Sequence, residues 1–112
     1  MDGFIRRFNS VCRRYGLPVQ RIRLQEDGVD ERGHPVVSEE SVDTRGLFHV
    51  STGSERLILG HDIHDYDAYI LVPHTLDVVE GDEFLVNGER YKVKWLIRNR
   101  SHIECNLKRV KG

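Results

Sequence analysis

The stretch Glu83-Phe84-Leu85-Val86-Asn87-Gly88-Glu89-Arg90-Tyr91-Lys92-Val93-Lys94-Trp95-Leu96-Ile97 decides the fold. Asn87-Gly88 favours the positive φ angles of a two-residue type I′ turn, and period-two apolar runs flank it, so an antiparallel hairpin is predicted here. Phe84 and Val86 share a face of its first strand, and Tyr91, Val93, Trp95 and Ile97 share one of its second, alternating with Lys92, Lys94, Leu96 and Arg98. After a turn at residues 99–101, Ile103, Cys105 and Leu107 repeat the pattern, which gives a three-stranded meander with Trp95 expected at the centre of the core.

Working outward, Tyr69-Ile70-Leu71-Val72 is a short apolar strand stopped by Pro73. Val42, Thr44, Gly46, Phe48 and Val50 share one face of a strand region over residues 36–50, where Gly46 marks a bulge or a close approach. From residue 19, Ile22 and Leu24 alternate with Arg21 and Arg23, the pattern of a strand with one wet face. Asp27-Gly28 and Asp30-Glu31-Arg32-Gly33-His34-Pro35 are dense in turn formers, so the chain reverses between these strands. At the N-terminus, Asp2 is an N-cap for an amphipathic helix whose stripe is Phe4, Ile5, Phe8, Val11, Cys12 and Tyr15, ended by Gly16 and Pro18. The expectation is one all-β domain over residues 1–112: a small antiparallel β-barrel or sandwich of five to seven strands over 19–110, with one N-terminal α-helix over 1–16 and a long loop at about 51–67.

With 112 residues the chain supports one modest core. No apolar run approaches the ~20 residues of a spanning helix, and Met1-Asp2-Gly3-Phe4 does not open like a targeting peptide, so a soluble protein acting inside a cell is expected. Cys12 and Cys105 match no zinc or CxxC spacing and are read as ordinary thiols. The formal net charge of -1 hides segregation: residues 1–23 carry +5, 26–43 carry -6, 60–83 carry -7 and 88–112 carry +6. Alternating blocks argue against a uniformly basic nucleic-acid binder and suit a protein whose faces meet other proteins. Arg6, Arg7, Arg13 and Arg14 fall largely outside the helix's apolar stripe and are candidate subunit or adaptor contacts.

The sharpest chemical cluster is His61-Asp62-Ile63-His64-Asp65. His61, His64 and Asp65 are ligand types for a divalent ion, yet there is no HExxH and no nearby cysteine, so the stretch is read as a polar loop and neither metal nor cofactor is expected. GxSxG, GxxxxGK[ST] and GxGxxG are all absent, and Cys105 alternates with core residues, so no enzyme is expected. The alternative is a small OB-like barrel that binds nucleic acid or a partner protein through Tyr91, Trp95 and the basic C-terminal half. Against it, both aromatics fall on the face read as inward.

The layout resembles a known family. The turn-rich 27–35 segment, Gly46-Leu47-Phe48, Asp67-Ala68-Tyr69-Ile70-Leu71-Val72-Pro73, and Glu80-Gly81-Asp82-Glu83-Phe84 running into Val86-Asn87-Gly88-Glu89-Arg90-Tyr91-Lys92-Val93 are similar to the head-completion proteins of tailed bacteriophages, also called head-closure, stopper or head-tail joining proteins. The resemblance spans about residues 19–110 and lies in layout rather than in a signature residue. It implies a virion protein, made in the host cytoplasm, that forms a ring of twelve copies below the portal and its adaptor and receives the tail. It also implies a loop that projects into the channel and retains packaged DNA without reading its sequence. Residues 51–65, with Ser51, Thr52, Gly53, Ser54, His61, Asp62, His64 and Asp65, suit that loop best, and the acidic turn at 27–35 is the second choice.

Overall fold

Asp2 accepts a hydrogen bond from the Phe4 N–H at 2.8 Å and so caps α1 (Gly3–Tyr15), one of the free donors that every helix start must satisfy. The computed structural model describes residues 2–50 and 67–110, and channel-loop candidates Ser51, Thr52, Gly53, Ser54, His61, Asp62, His64 and Asp65 lie outside them. After α1 come β1 (Leu17–Val29), β2 (Pro35–Val50), β3 (Ala68–Pro73), β4 (Glu83–Val86), β5 (Glu89–Arg98) and β6 (His102–Arg109). They close an antiparallel barrel in the order β1-β2-β3-β6-β5-β4, with β4 returning to β1. Closure leaves the barrel no open edge, so a mostly β chain of this size can bury one face of every strand.

Asn87 and Gly88 both have positive φ, as the type I′ turn requires, and Phe84, Val86, Tyr91 and Val93 all point into the core. Gly46 is a close approach: an added Cβ would lie 2.6 Å from Cδ1 and Cγ1 of Ile70, which fills the space that a side chain would take.

Three sequence expectations need correction. Val93 pairs with Leu107 but Trp95 pairs with Asn106, so β5 carries one extra residue. That bulge flips the parity of everything beyond it. Leu96, opposite Cys105, packs against the core, Trp95 turns to the outer face half-buried, and Ile97 is exposed. In β1 an arginine takes the inward face. Arg21 pairs with core residue Phe84 and is 1% exposed, so it points inward with Val19, while Ile22 on the other face is buried as well, at 4% exposed, and Leu24 is exposed. Finally, α1 buries only Phe8 and Cys12 and leaves Phe4, Val11 and Tyr15 exposed. The helix lies on the barrel's outside, with the Phe8 ring stacked on His102 at 5.0 Å, and a convex surface meets a straight helix along a narrow line.

The two longest strands outrun the barrel. β1 pairs with β4 only from Gln20 to Ile22, and β2 pairs with β3 only from Leu47 to Val50. Among the described residues, 23–29 and 35–40 therefore pair only with each other and project as a two-stranded arm, consistent with extents of 52 × 35 × 23 Å. At its tip Asp30 Oδ1 accepts from the N–H groups of Arg32 and His34, both at 2.9 Å, and Gly28 (φ +101°) sits in a bulge between Glu26 and Val29.

Replacing Gly46 by alanine should lower stability by about 1–3 kcal/mol through overpacking against Ile70. Gly3→Ala, which meets open space, should change it by less than about 0.5 kcal/mol. Urea denaturation of the two variants checks the contrast.

Candidate functional site

The arm is rooted in the barrel by charge on both of its faces. On the face continuous with the interior, Arg23 donates from Nε and Nη2 to the two Asp82 oxygens, each at 2.9 Å, and from Nη1 and Nη2 to Asp77 at 3.1 and 3.4 Å. The buried Asp82 carboxylate also accepts the Val79 N–H at 2.9 Å, which ties the 74–82 connection to the arm's root. Arg21 donates to one Glu40 oxygen at 2.8 Å, and Gln25 donates to the other at 3.1 Å. Arg21 Nε and Nη1 are buried with no partner among the described residues. On the outer face Arg90 joins Glu39 at 2.8 Å and Glu83 at 3.2 Å. A guanidinium that engages both oxygens of a carboxylate fixes orientation as well as distance, so the root is held rigidly.

These contacts shift the groups involved in the expected senses. Hydrogen bonds from Arg23 hold the Asp77 carboxyl below its ordinary range, and the Glu39 hydrogen bond pushes Arg90 further above its own. At the helix start, the Phe4 N–H and then Arg100 hold Asp2 low, and the Arg100 guanidinium also lies 5.5 Å over the Phe4 ring.

Beyond the root the arm offers unspent charge. Residues 24–40 hold six acids and one arginine, and Glu26, Asp27 and Glu31 are exposed with no ion pair among the described residues. Leu24, Val29, Val36 and Val37 are exposed beside them. The four arginines singled out from sequence, Arg6, Arg7, Arg13 and Arg14, all lie on the exposed side of α1, and Arg7, Arg13 and Arg14 form no ion pair among the described residues.

A third surface was missed in the sequence because the bulge was invisible there. On the outer face of β5 and β6, Trp95 shares a side with Lys92, Lys94 and Lys108, whereas Tyr91 is buried inside. The two thiols are buried, and desolvation raises both, Cys105 to about 12, so neither is a nucleophile at neutral pH. Among the described residues no three His, Cys, Asp or Glu side chains gather as a metal site would require, and the weak metal candidates His61, His64 and Asp65 lie outside those residues. No described helix is long and apolar enough to cross a membrane.

Comparison with known proteins finds the same architecture elsewhere. The crystal structure of an ATP-binding sugar transporter-like protein from Salmonella typhimurium superposes with a TM-score of 0.52 at 14% identity, over 97% of this chain and 91% of that one. That likeness is one of fold. The phage-like element PBSX protein xkdH from Bacillus subtilis gives a TM-score of 0.49 at 12% identity, over 84% of this chain and 95% of that one. No family model matches the chain, and no curated protein matches it significantly.

Two outcomes follow from this geometry. Asp82→Ala removes the buried acceptor of the Val79 N–H and strands one side of Arg23, and should lower stability by about 1–3 kcal/mol in urea denaturation, while Asp77→Asn at the exposed partner changes it little. An NMR titration should place the Asp2 carboxyl midpoint below about 3.9. Since the folded value is depressed, the cap's contribution is full above that pH and fades as pH falls through the folded midpoint. Arg100→Ala should raise the midpoint only partly, because the Phe4 N–H is the larger cause.

Proposed function

We propose that this chain is a structural subunit of a tailed-phage head-tail connector, one copy in a ring below the portal and adaptor that closes the DNA channel and receives the tail. The observation that carries the proposal is a closed barrel bearing a rigidly rooted acidic arm, with an exposed basic helix elsewhere on the same chain. A ring subunit must present two different surfaces that mate head to tail, and opposite charge on them sets register and discourages wrong pairings. The layout resemblance of residues 19–110 to head-completion proteins supports the same reading. Its role is assembly, with no bond made or broken. DNA in the channel is handled without sequence recognition: carboxylates on the bore repel phosphates, and closure is steric.

A second reading has one observation in its favour, the outward Trp95 among Lys92, Lys94 and Lys108, the arrangement on which single-stranded bases stack. Oligonucleotide binding that persists at moderate salt and disappears in Trp95→Ala would favour it.

Electron microscopy of particles assembled without this protein tests the connector reading directly. Tailless heads that have lost DNA are expected, and full heads with normal tails overturn it.

A further inference from the structure

The connector reading requires a subunit contact but does not say which surfaces make it, and two surfaces of this chain are left unmatched within it. On α1, Phe4, Arg7, Val11, Arg14 and Tyr15 follow one another at steps of three and four, except for the final adjacent pair, and so form one stripe. Phe8 and Cys12, on the adjoining side about a quarter-turn round the helix, are buried, yet Phe4 is 59% exposed and Tyr15 69%. A helix that leaves Val11, Tyr15 and much of Phe4, which Arg100 covers in part, exposed beside Arg7 and Arg14, neither with an ion pair among the described residues, has a second contact face.

The arm shows the complementary composition. Leu24 pairs with Glu39 and Glu26 with Val37, so directly opposed side chains place all four on one face, and Leu24 and Val37 are 53% and 58% exposed. Glu26 on this face, and Asp27 and Glu31 nearer the tip, are the arm's carboxylates without an ion pair among the described residues. Among the described residues both edges of the arm are also open, because β4 and β3 pair only with the parts of β1 and β2 inside the barrel. An exposed two-stranded ribbon with free edges is marginal by itself and is stabilised by something laid against it.

We propose that the arm of one copy docks on the outer stripe of α1 in the next copy, with Glu26, Asp27 and Glu31 near Arg7 and Arg14, and Leu24 and Val37 against Val11 and Tyr15. The inference rests on the ring reading and names its contact. Sign and apolar content match on the two sides, and no ion pair joins them within one chain among the described residues. The contact is heterologous, so it propagates around a ring when the rotation closes. It is also small. An arm of about six residues per strand is roughly 20 Å long and two strands wide, covering on the order of a few hundred Å², well short of the ~800 Å² per partner typical of a stable complex. Isolated copies therefore associate weakly, and the ring forms where a template holds several copies together.

Disulfide trapping of the purified full chain at high concentration tests this. Native Cys12 and Cys105 are buried and do not compete. The double variant Val11→Cys, Val37→Cys should give an intermolecular ladder beyond dimer under mild oxidation. Mixed single variants should give the 11–37 heterodimer in preference to either homodimer. Adding Glu26→Lys and Glu31→Lys should cut the trapped fraction about tenfold, the worth of two exposed ion pairs, and adding Arg7→Glu and Arg14→Glu on top should restore it. Homodimers alone, or a ladder indifferent to charge reversal, overturn the arm-to-helix contact. If wild-type protein still sediments as oligomers in that case, the ring reading survives without this contact. A charge-dependent 11–37 ladder upholds the contact even if particles lacking the protein carry normal tails, a result that would count against the connector reading alone.

Discussion

β4 is four residues long and pairs with β1 over three, from Gln20–Leu85 to Ile22–Glu83, and that short seam closes the barrel. Without it β1 and β4 would be free edges and the interior face of every strand would open toward water. The seam also sets where the barrel ends. β1 continues for seven residues past Ile22 with β2 as its one neighbour among the described residues, so hydrogen bonding that cannot be satisfied by the barrel is satisfied within a projecting hairpin. The arm is thus a consequence of unequal strand lengths around a closed sheet.

A projecting hairpin would ordinarily sway, and here charge at its root restrains it. Arg23 spans Asp77 and Asp82 on one face while Arg90 joins Glu39 to Glu83 on the other, so the arm's first residues are tied to the 74–82 connection and to β4. Asp82 is the member that cannot be exchanged freely, since it is buried and serves both Arg23 and the Val79 N–H. Arg21 goes further inward than any partner follows, with Nε and Nη1 buried and bonded to nothing described, a cost that the Glu40 bond offsets in part. The structure carries this cost at the junction of barrel and arm, where direction matters most. Rigid rooting and unpaired carboxylates toward the tip, among the described residues, are the two features on which the proposed arm-to-helix contact rests.

Much of this was legible residue by residue. Asn87-Gly88 announced the hairpin because few dipeptides accept its φ angles, and Gly46 announced a bulge or a close approach because a glycine interrupts a strand pattern, of which the structure shows the close approach. The exposed positions of Arg6, Arg7, Arg13 and Arg14 follow the helical period read from sequence. Trp95 misled because strict alternation assumes that no residue is inserted, and a bulge leaves no mark in composition. Arg21 misled because hydrophobicity assigns faces by average preference, whereas Ile22 is buried as its hydrophobicity suggests. In a barrel only a few residues wide, the face is set by whichever neighbours the strand must match, here Phe84 and Val19.

By itself the sequence determined an all-β chain led by one capped helix, its turns, its buried alternations and its segregated charge. Those are local properties, fixed by backbone preferences and by the spacing of apolar residues along one strand or helix. Tertiary structure alone decided which face of β1 turned inward, where β5 gained its extra residue, how little of α1 the barrel could cover, and that residues 24–40 would stand clear of the core. Each of these depends on pairing between segments far apart in the chain, and the energy that selects a register exists only once both strands are in place.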